Sequence, residues 1–279
     1  MLLQIQQTQR PVIVVQPIIS IVQLQELLQV DYESVGNDVH LSIADGQAMN
    51  PNRQQRAAWL MREPRFQQWF KASGSNILVV DGMETEMNTT SPLTYFCAML
   101  GQNLENLQVA VPLNFFCGMH ARPGDSLEGA CGIMRSIIYQ LLQQRWYFDL
   151  SFLDYAFCEH VRSHEITRLC LLFRKLLTSA PSCTIFCVID GISWFDTGRH
   201  SGNVSTMMGY LQDLVKETNR ENTGIDFKLL VTSPKACRWG QVWFPTGDRI
   251  VMPDETGGDG NPFNEYHMAA QSGFMMGPR

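Results

Sequence analysis

Two stretches of this chain hold residue types that phosphate and metal chemistry require, and each is incomplete. In residues 76–89 the run Asn-Ile-Leu-Val-Val-Asp gives way to a loop that begins at Gly82. Against the phosphate-cradling pattern G-x-x-x-x-G-K-[ST], Gly82 and Thr89 match, while Met87 replaces the second glycine and Asn88 the lysine. The glycine lets the backbone approach an anion at positive φ, a conformation that costs other residues about 1–2 kcal/mol. The lysine supplies a charge-assisted contact whose loss costs about 1.5–3 kcal/mol. Glu84 and Glu86 add two carboxylates to the same loop, and no lysine or arginine lies between Gly82 and Thr90. The second stretch, residues 184–190, is an apolar run that ends in Asp190, as a strand carrying a magnesium-side aspartate ends. Gly191 follows it, so no second acid is present there to activate water.

For these stretches to meet, both must follow strands of one sheet. Ile77–Asp81, residues 109–117, Cys183–Ile189 and Phe227–Thr232 are near-continuous aliphatic or aromatic runs, with a possible fifth strand at Arg249–Met252. Strands without polar alternation are buried on both faces, which predicts a mainly parallel sheet covered by helices on either side. Helical periodicity falls between them, over 92–104, 127–146, 151–160, 163–178 and 204–218. Ligands of such sheets bind beyond the carboxyl ends of the strands, where Gly82 and Asp190 are expected. Upstream, 18–29 and 34–73 read as helical, with Asn50-Pro51 as a cap and first-turn proline and Trp59, Leu60, Phe66, Trp69 and Phe70 as docking residues. The expected organisation is a helical extension over 1–73, an α/β domain over 74–252 and a loose tail over 253–279.

Composition narrows the function classes. Over 279 residues, 45% hydrophobic and 17% charged content describe an ordered globular chain, and a net charge of −6 argues against a nucleic-acid surface. The uncharged segment from Pro11 to Val22 is too short and too interrupted to span a membrane. Eight cysteines sit mostly inside apolar runs, as buried thiols do, which favours a reducing, cytoplasmic setting. Cys117/His120 and Cys158/His160 have loose zinc-like spacing without a repeated pair. Cys117/His120 and Ser193/Asp196/His200 are local nucleophile-and-base combinations without a recognisable frame.

In their order and spacing, Phe66-Gln-Gln-Trp69, Leu78-Val-Val-Asp-Gly82, Ser91-Pro92-Leu93, Phe115-Phe-Cys-Gly-Met-His120, Ser136-Ile-Ile-Tyr-Gln-Leu-Leu142, Phe186-Cys-Val-Ile-Asp-Gly-Ile-Ser193 and Phe227-Lys-Leu-Leu-Val-Thr-Ser-Pro234 resemble a known family. It is the NACHT-like, STAND-class P-loop NTPase domain of fungal multidomain proteins, over roughly residues 50–234. The resemblance implies a three-layer P-loop sandwich, and a signalling switch in which ATP or GTP with magnesium gates assembly with protein partners. It places the nucleotide site at Gly82, Met87, Asn88, Thr89 and Asp190, with both motifs degenerate. Pro234 stands where related switches often carry a phosphate-sensing arginine; Arg199, Lys216, Lys228 and Lys235 are the other candidate cations. The expectation is a non-catalytic scaffold or regulatory module that binds no nucleotide and has no catalytic or metal-ligating residues. The alternatives are a slow nucleotide switch built on Thr89 and Asp190, and a remnant of a larger protein. A loop freed from phosphate should leave Met87 in ordinary φ space.

Overall fold

The computed structural model describes residues 18–31, 33–85, 88–107, 110–221, 223–237, 248–253, 263–266 and 268–270. The aliphatic runs form strands β1 (Asn76–Asp81), β2 (Val111–Phe116), β3 (Cys183–Asp190), β4 (Ile225–Ser233) and β5 (Arg249–Val251). They make one five-stranded sheet in the order β2-β3-β4-β1-β5, with every pair parallel. The helices are α1 (Ile21–Leu28), α2 (Ser34–Ala48), α3 (Pro51–Arg62), α4 (Pro64–Lys71), α5 (Pro92–Leu107), α6 (Gly129–Leu142), α7 (Tyr155–Arg162), α8 (Ile166–Thr178) and α9 (Ser201–Glu221). A short 3-10 turn, Ile192–Phe195, follows β3.

Strand residues alternate between two cores, which makes the architecture a three-layer α/β sandwich. Val79, Leu113, Phe115, Ile185, Cys187, Ile189, Leu229 and Val231 pack with α1 and α6–α9. Leu78, Val80, Phe116, Phe186, Val188, Leu230 and Ile250 pack with α2–α5. Phe66, Trp69 and Phe70 of α4 belong to this second core; Trp69 and Phe70 meet Phe186 with ring centroids 5.6 and 5.1 Å apart. Of the helices before residue 73, α2–α4 thus cover one face of the sheet with α5, and α1 joins α6–α9 on the other.

Local chemistry sets the helix starts. The Asn50 side chain accepts from the Arg53 amide at 2.9 Å ahead of Pro51, and the Ser91 hydroxyl accepts from the Thr94 amide at 3.0 Å ahead of Pro92. The outer edge of β2 is blocked by a side chain. The Gln140 amide accepts from Asn114 N–H and donates to Asn114 C=O, both at 2.8 Å, so it imitates a neighbouring strand. The segment for which a loose tail is expected has an anchored stretch. Phe263 and Met268 are buried against α5, and the Tyr95 hydroxyl donates to Phe263 C=O at 3.0 Å. Burying an aromatic ring offsets the entropy of holding that segment. Among the described residues no helix is long and apolar enough to cross a membrane.

Candidate phosphate-loop site

β1 and β3 are not neighbours, because β4 lies between them. The end of β4 therefore links the two halves of the candidate site. Ser233 C=O accepts from the Gly82 amide at 2.8 Å, and the Thr232 hydroxyl donates to Asp190 Oδ1 at 2.5 Å. Pro234 C=O also accepts from the Glu84 amide, at 2.7 Å. The loop after β1 thus begins by continuing along β4, and the amides of Gly82 and Glu84 already have carbonyl partners. Met83, between them, is left at φ 56°, a left-handed conformation that non-glycine residues adopt at a cost.

Glu84 has cations after all, supplied from another element. Its carboxylate lies 3.1 Å from Arg56 Nε and 3.5 Å from Arg53 Nη2, both on α3. Arg56 also donates to Gly82 C=O, and to Pro253 C=O at 3.0 Å, so one guanidinium ties α3 to the loop and to the chain after β5. Asn88 and Thr89 are exposed, whereas Glu86 and Met87 lie outside the described residues, and with them the expectation for Met87's φ. Thr90 is buried, and its hydroxyl donates to Asp45 of α2 at 2.9 Å. The Thr89 carbonyl passes over Gly118 so closely that a Cβ there would sit 2.6 Å from the oxygen, which makes glycine obligatory at that crossing.

Asp190 is 1% exposed, and both its oxygens are engaged. Oδ2 accepts from the Thr94 hydroxyl at 2.7 Å, opposite the Thr232 hydroxyl on Oδ1. Burial pushes the carboxyl up to about 6, and the hydrogen bonds from Thr232 and Thr94 hold it from rising further. The hydroxyl facing the strand-end acid comes from Thr94, in the first turn of α5, and Thr89 stays at the surface. Spacing alone pointed to Thr89; the signal for Thr94 was the cap Ser91-Pro92, which sets where the helix begins. Gly191 sits at φ 76°, so a second acid at that position would be strained.

The other candidate cations lie elsewhere. Arg199 pairs with Glu128 at 3.2 Å, Lys216 with Asp213 at 3.1 Å, and Lys228 points to the end of α4. Lys235 contributes its carbonyl, which accepts from the Ser233 hydroxyl. Of the candidate nucleophile and base residues, the Ser193 hydroxyl is buried with no hydrogen-bond partner among the described residues, and His200 is engaged elsewhere. Burial, and then the charge of Asp190, raise the thiols of Cys97 and Cys117 well above the ordinary value. His120 binds Asp38 and Asp125, and His200 binds Glu128 at 3.1 Å. All eight cysteines are free, and the described residues contain no group of three or more metal-ligating side chains.

The arrangement joins a strand–loop–helix unit to a buried acid at the end of a second strand, with a third strand's hydroxyl between them. A comparison with family models matches this region: residues 55–233, well over half of the chain, fit Nephrocystin 3, N-terminal. No curated protein and no solved structure gives a match.

Proposed function

Because the chain belongs to the Nephrocystin 3 N-terminal family, we propose that it is a non-catalytic NTPase-like scaffold or regulatory module that acts through protein partners. The observation that carries this proposal is Glu84, a carboxylate from the loop itself, seated on the two arginines nearest to it. An incoming phosphate would have to displace an internal anion, without the lysine that normally compensates. The amides of Gly82 and Glu84, engaged by Ser233 and Pro234, support it too, since a phosphate nest needs free N–H groups.

The nucleotide switch remains the second reading, and one contact favours it. A hydroxyl at the start of the helix after the loop meets the acid ending β3, the relation in which a magnesium ion is held between loop and strand. Calorimetric titration with Mg-ATP and Mg-GTP separates the two. An ordinary micromolar site is worth about −8 kcal/mol, and loss of the lysine contact removes about 1.5–3 kcal/mol of it. With Glu84 opposing the ligand as well, no saturable binding tighter than about 100 μM is expected, and no magnesium-dependent hydrolysis above background. Low-micromolar binding that Thr94→Ala or Asp190→Ala abolishes would establish the switch instead. Combining Glu84→Gln with Met87→Gly and Asn88→Lys is expected to create measurable affinity.

A further inference from the structure

His120 lies in the turn after β2, and both its ring nitrogens face carboxylates. Nε2 is 2.9 Å from Asp38 Oδ2 on α2, and Nδ1 is 2.9 Å from Asp125 Oδ1 in its own loop. The ring is 8% exposed and leans on Phe115, with centroids 5.1 Å apart. An ionised carboxylate can only accept, so a ring satisfying both partners carries both protons and a positive charge. Asp38 is 82 positions away in sequence, which makes this a tie between α2 and the carboxyl end of the sheet. Asp45, two turns further along α2, holds the Thr90 hydroxyl beside the candidate loop.

We propose that α2 is a pH-sensitive strap over the carboxyl end of the sheet, closed by an imidazolium at His120 shared between Asp38 and Asp125. Loss of a proton from the ring leaves one nitrogen with a lone pair facing a carboxylate, and that contact turns from attraction to repulsion. If Asp38 lets go, α2 loses its tie to the turn after β2, and the grip of Asp45 on Thr90 loosens with it. A change in proton concentration is thereby transmitted to the loop after β1. None of this depends on whether the loop binds nucleotide.

Burial alone would lower the His120 pKa, but hydrogen bonding and charge from Asp38, then from Asp125, leave it above the ordinary 6.5. For a group raised on closing, the stabilisation is complete below the open-state value and is lost as pH rises through the closed-state value. The closing equilibrium therefore weakens by about tenfold per pH unit above roughly 6.5, until the closed-state value is passed.

Hydrogen exchange of the whole chain between pH 6 and 9, corrected for intrinsic rates, tests the strap. Protection of 34–48 is expected to fall in that window while α8, on the other face of the sheet, keeps its protection. Asp38→Asn supplies an N–H donor to the Nε2 lone pair of a neutral ring whose Nδ1–H donates to Asp125, so it should fold and make protection of α2 independent of pH. His120→Gln should show at pH 6 the lower protection that the unaltered chain reaches at high pH. Nitrogen chemical shifts of the ring provide a check that does not depend on any variant: both nitrogens should be protonated at pH 7. A neutral ring at that pH, unchanged protection of 34–48 from pH 6 to 9, or equal losses in α2 and α8 would each overturn the proposal.

Discussion

Replacing the buried acid at the end of β3, Asp190→Asn, is expected to stabilise the protein at neutral pH. The Asp190 carboxyl is pushed up to about 6 by burial, against an ordinary value of 3.8. A shift of this size corresponds to about 3 kcal/mol of disfavour for the charged form in the folded state. Because the folded value is raised, the folded chain binds more protons than the unfolded one between these pH values. Stability is therefore full below about pH 4 and falls as pH rises through about 6. Asparagine removes the charge but offers one acceptor where the carboxylate offered two. Of the hydroxyls of Thr94 and Thr232, one must turn away, at a cost of about 1 kcal/mol. Thr94 has Ser91 Oγ within 3.0 Å as a substitute partner, which keeps that cost low. The net gain at pH 7 is about 2 kcal/mol, read from denaturant unfolding, and the pH slope between 4 and 6 should disappear. A loss of stability on substitution would mean that the charge is compensated in place, as a working metal site requires.

The strands were legible because each is a continuous apolar run, and a strand buried on both faces has no polar alternation to blur its limits. Four of the strands and a mainly parallel arrangement followed from that alone; the three-residue β5 was legible only as a short run that could add a fifth. Their order decides more than their existence: with β4 between β1 and β3, Thr232 and Ser233 become the link between Gly82 and Asp190. No local pattern reports strand order. The same holds for the ion pairs. Glu84 looked uncompensated because no cation lies near it in the chain, but Arg53 and Arg56 reach it from a helix some thirty positions upstream. The displacement from Thr89 to Thr94 has a local cause. A motif counted from Gly82 assumes that the helix begins at the motif, whereas Ser91 and Pro92 start it later. His120 and Asp38, 82 positions apart, carry no periodicity that links them.

Lys228 was a candidate cation for the phosphate site, and its actual position makes it a tie between β4 and the end of α4. It interrupts the run Phe-Lys-Leu-Leu-Val, and its side chain is 1% exposed. In parallel register it lies opposite Asn76 of β1 and Phe186 of β3, near the amino end of the sheet. There the ammonium donates to Trp69 C=O at 3.1 Å and to Ala72 C=O, the carbonyls at the end of α4. Those carbonyls have no partner within the helix, and a cation at a helix C-terminus also meets the negative end of its dipole. Lys228→Met preserves the apolar stem and removes only the charge and its three donors. Trp69 C=O retains the Asn76 amide at 3.3 Å, so Ala72 C=O bears most of the loss. A carbonyl left unpaired costs about 1–3 kcal/mol when buried, the low end applying to half-buried Ala72, and the lost dipole interaction adds about 1 kcal/mol. Relief from burying an ammonium offsets part of this. The expected outcome is a destabilisation of about 1–3 kcal/mol, roughly 3–8 °C in melting temperature, with hydrogen-exchange protection lost first in α4 and the 72–75 connection. An unchanged melting temperature would show that α4 is held by Phe66, Trp69 and Phe70 alone, and that the lysine is merely tolerated under them.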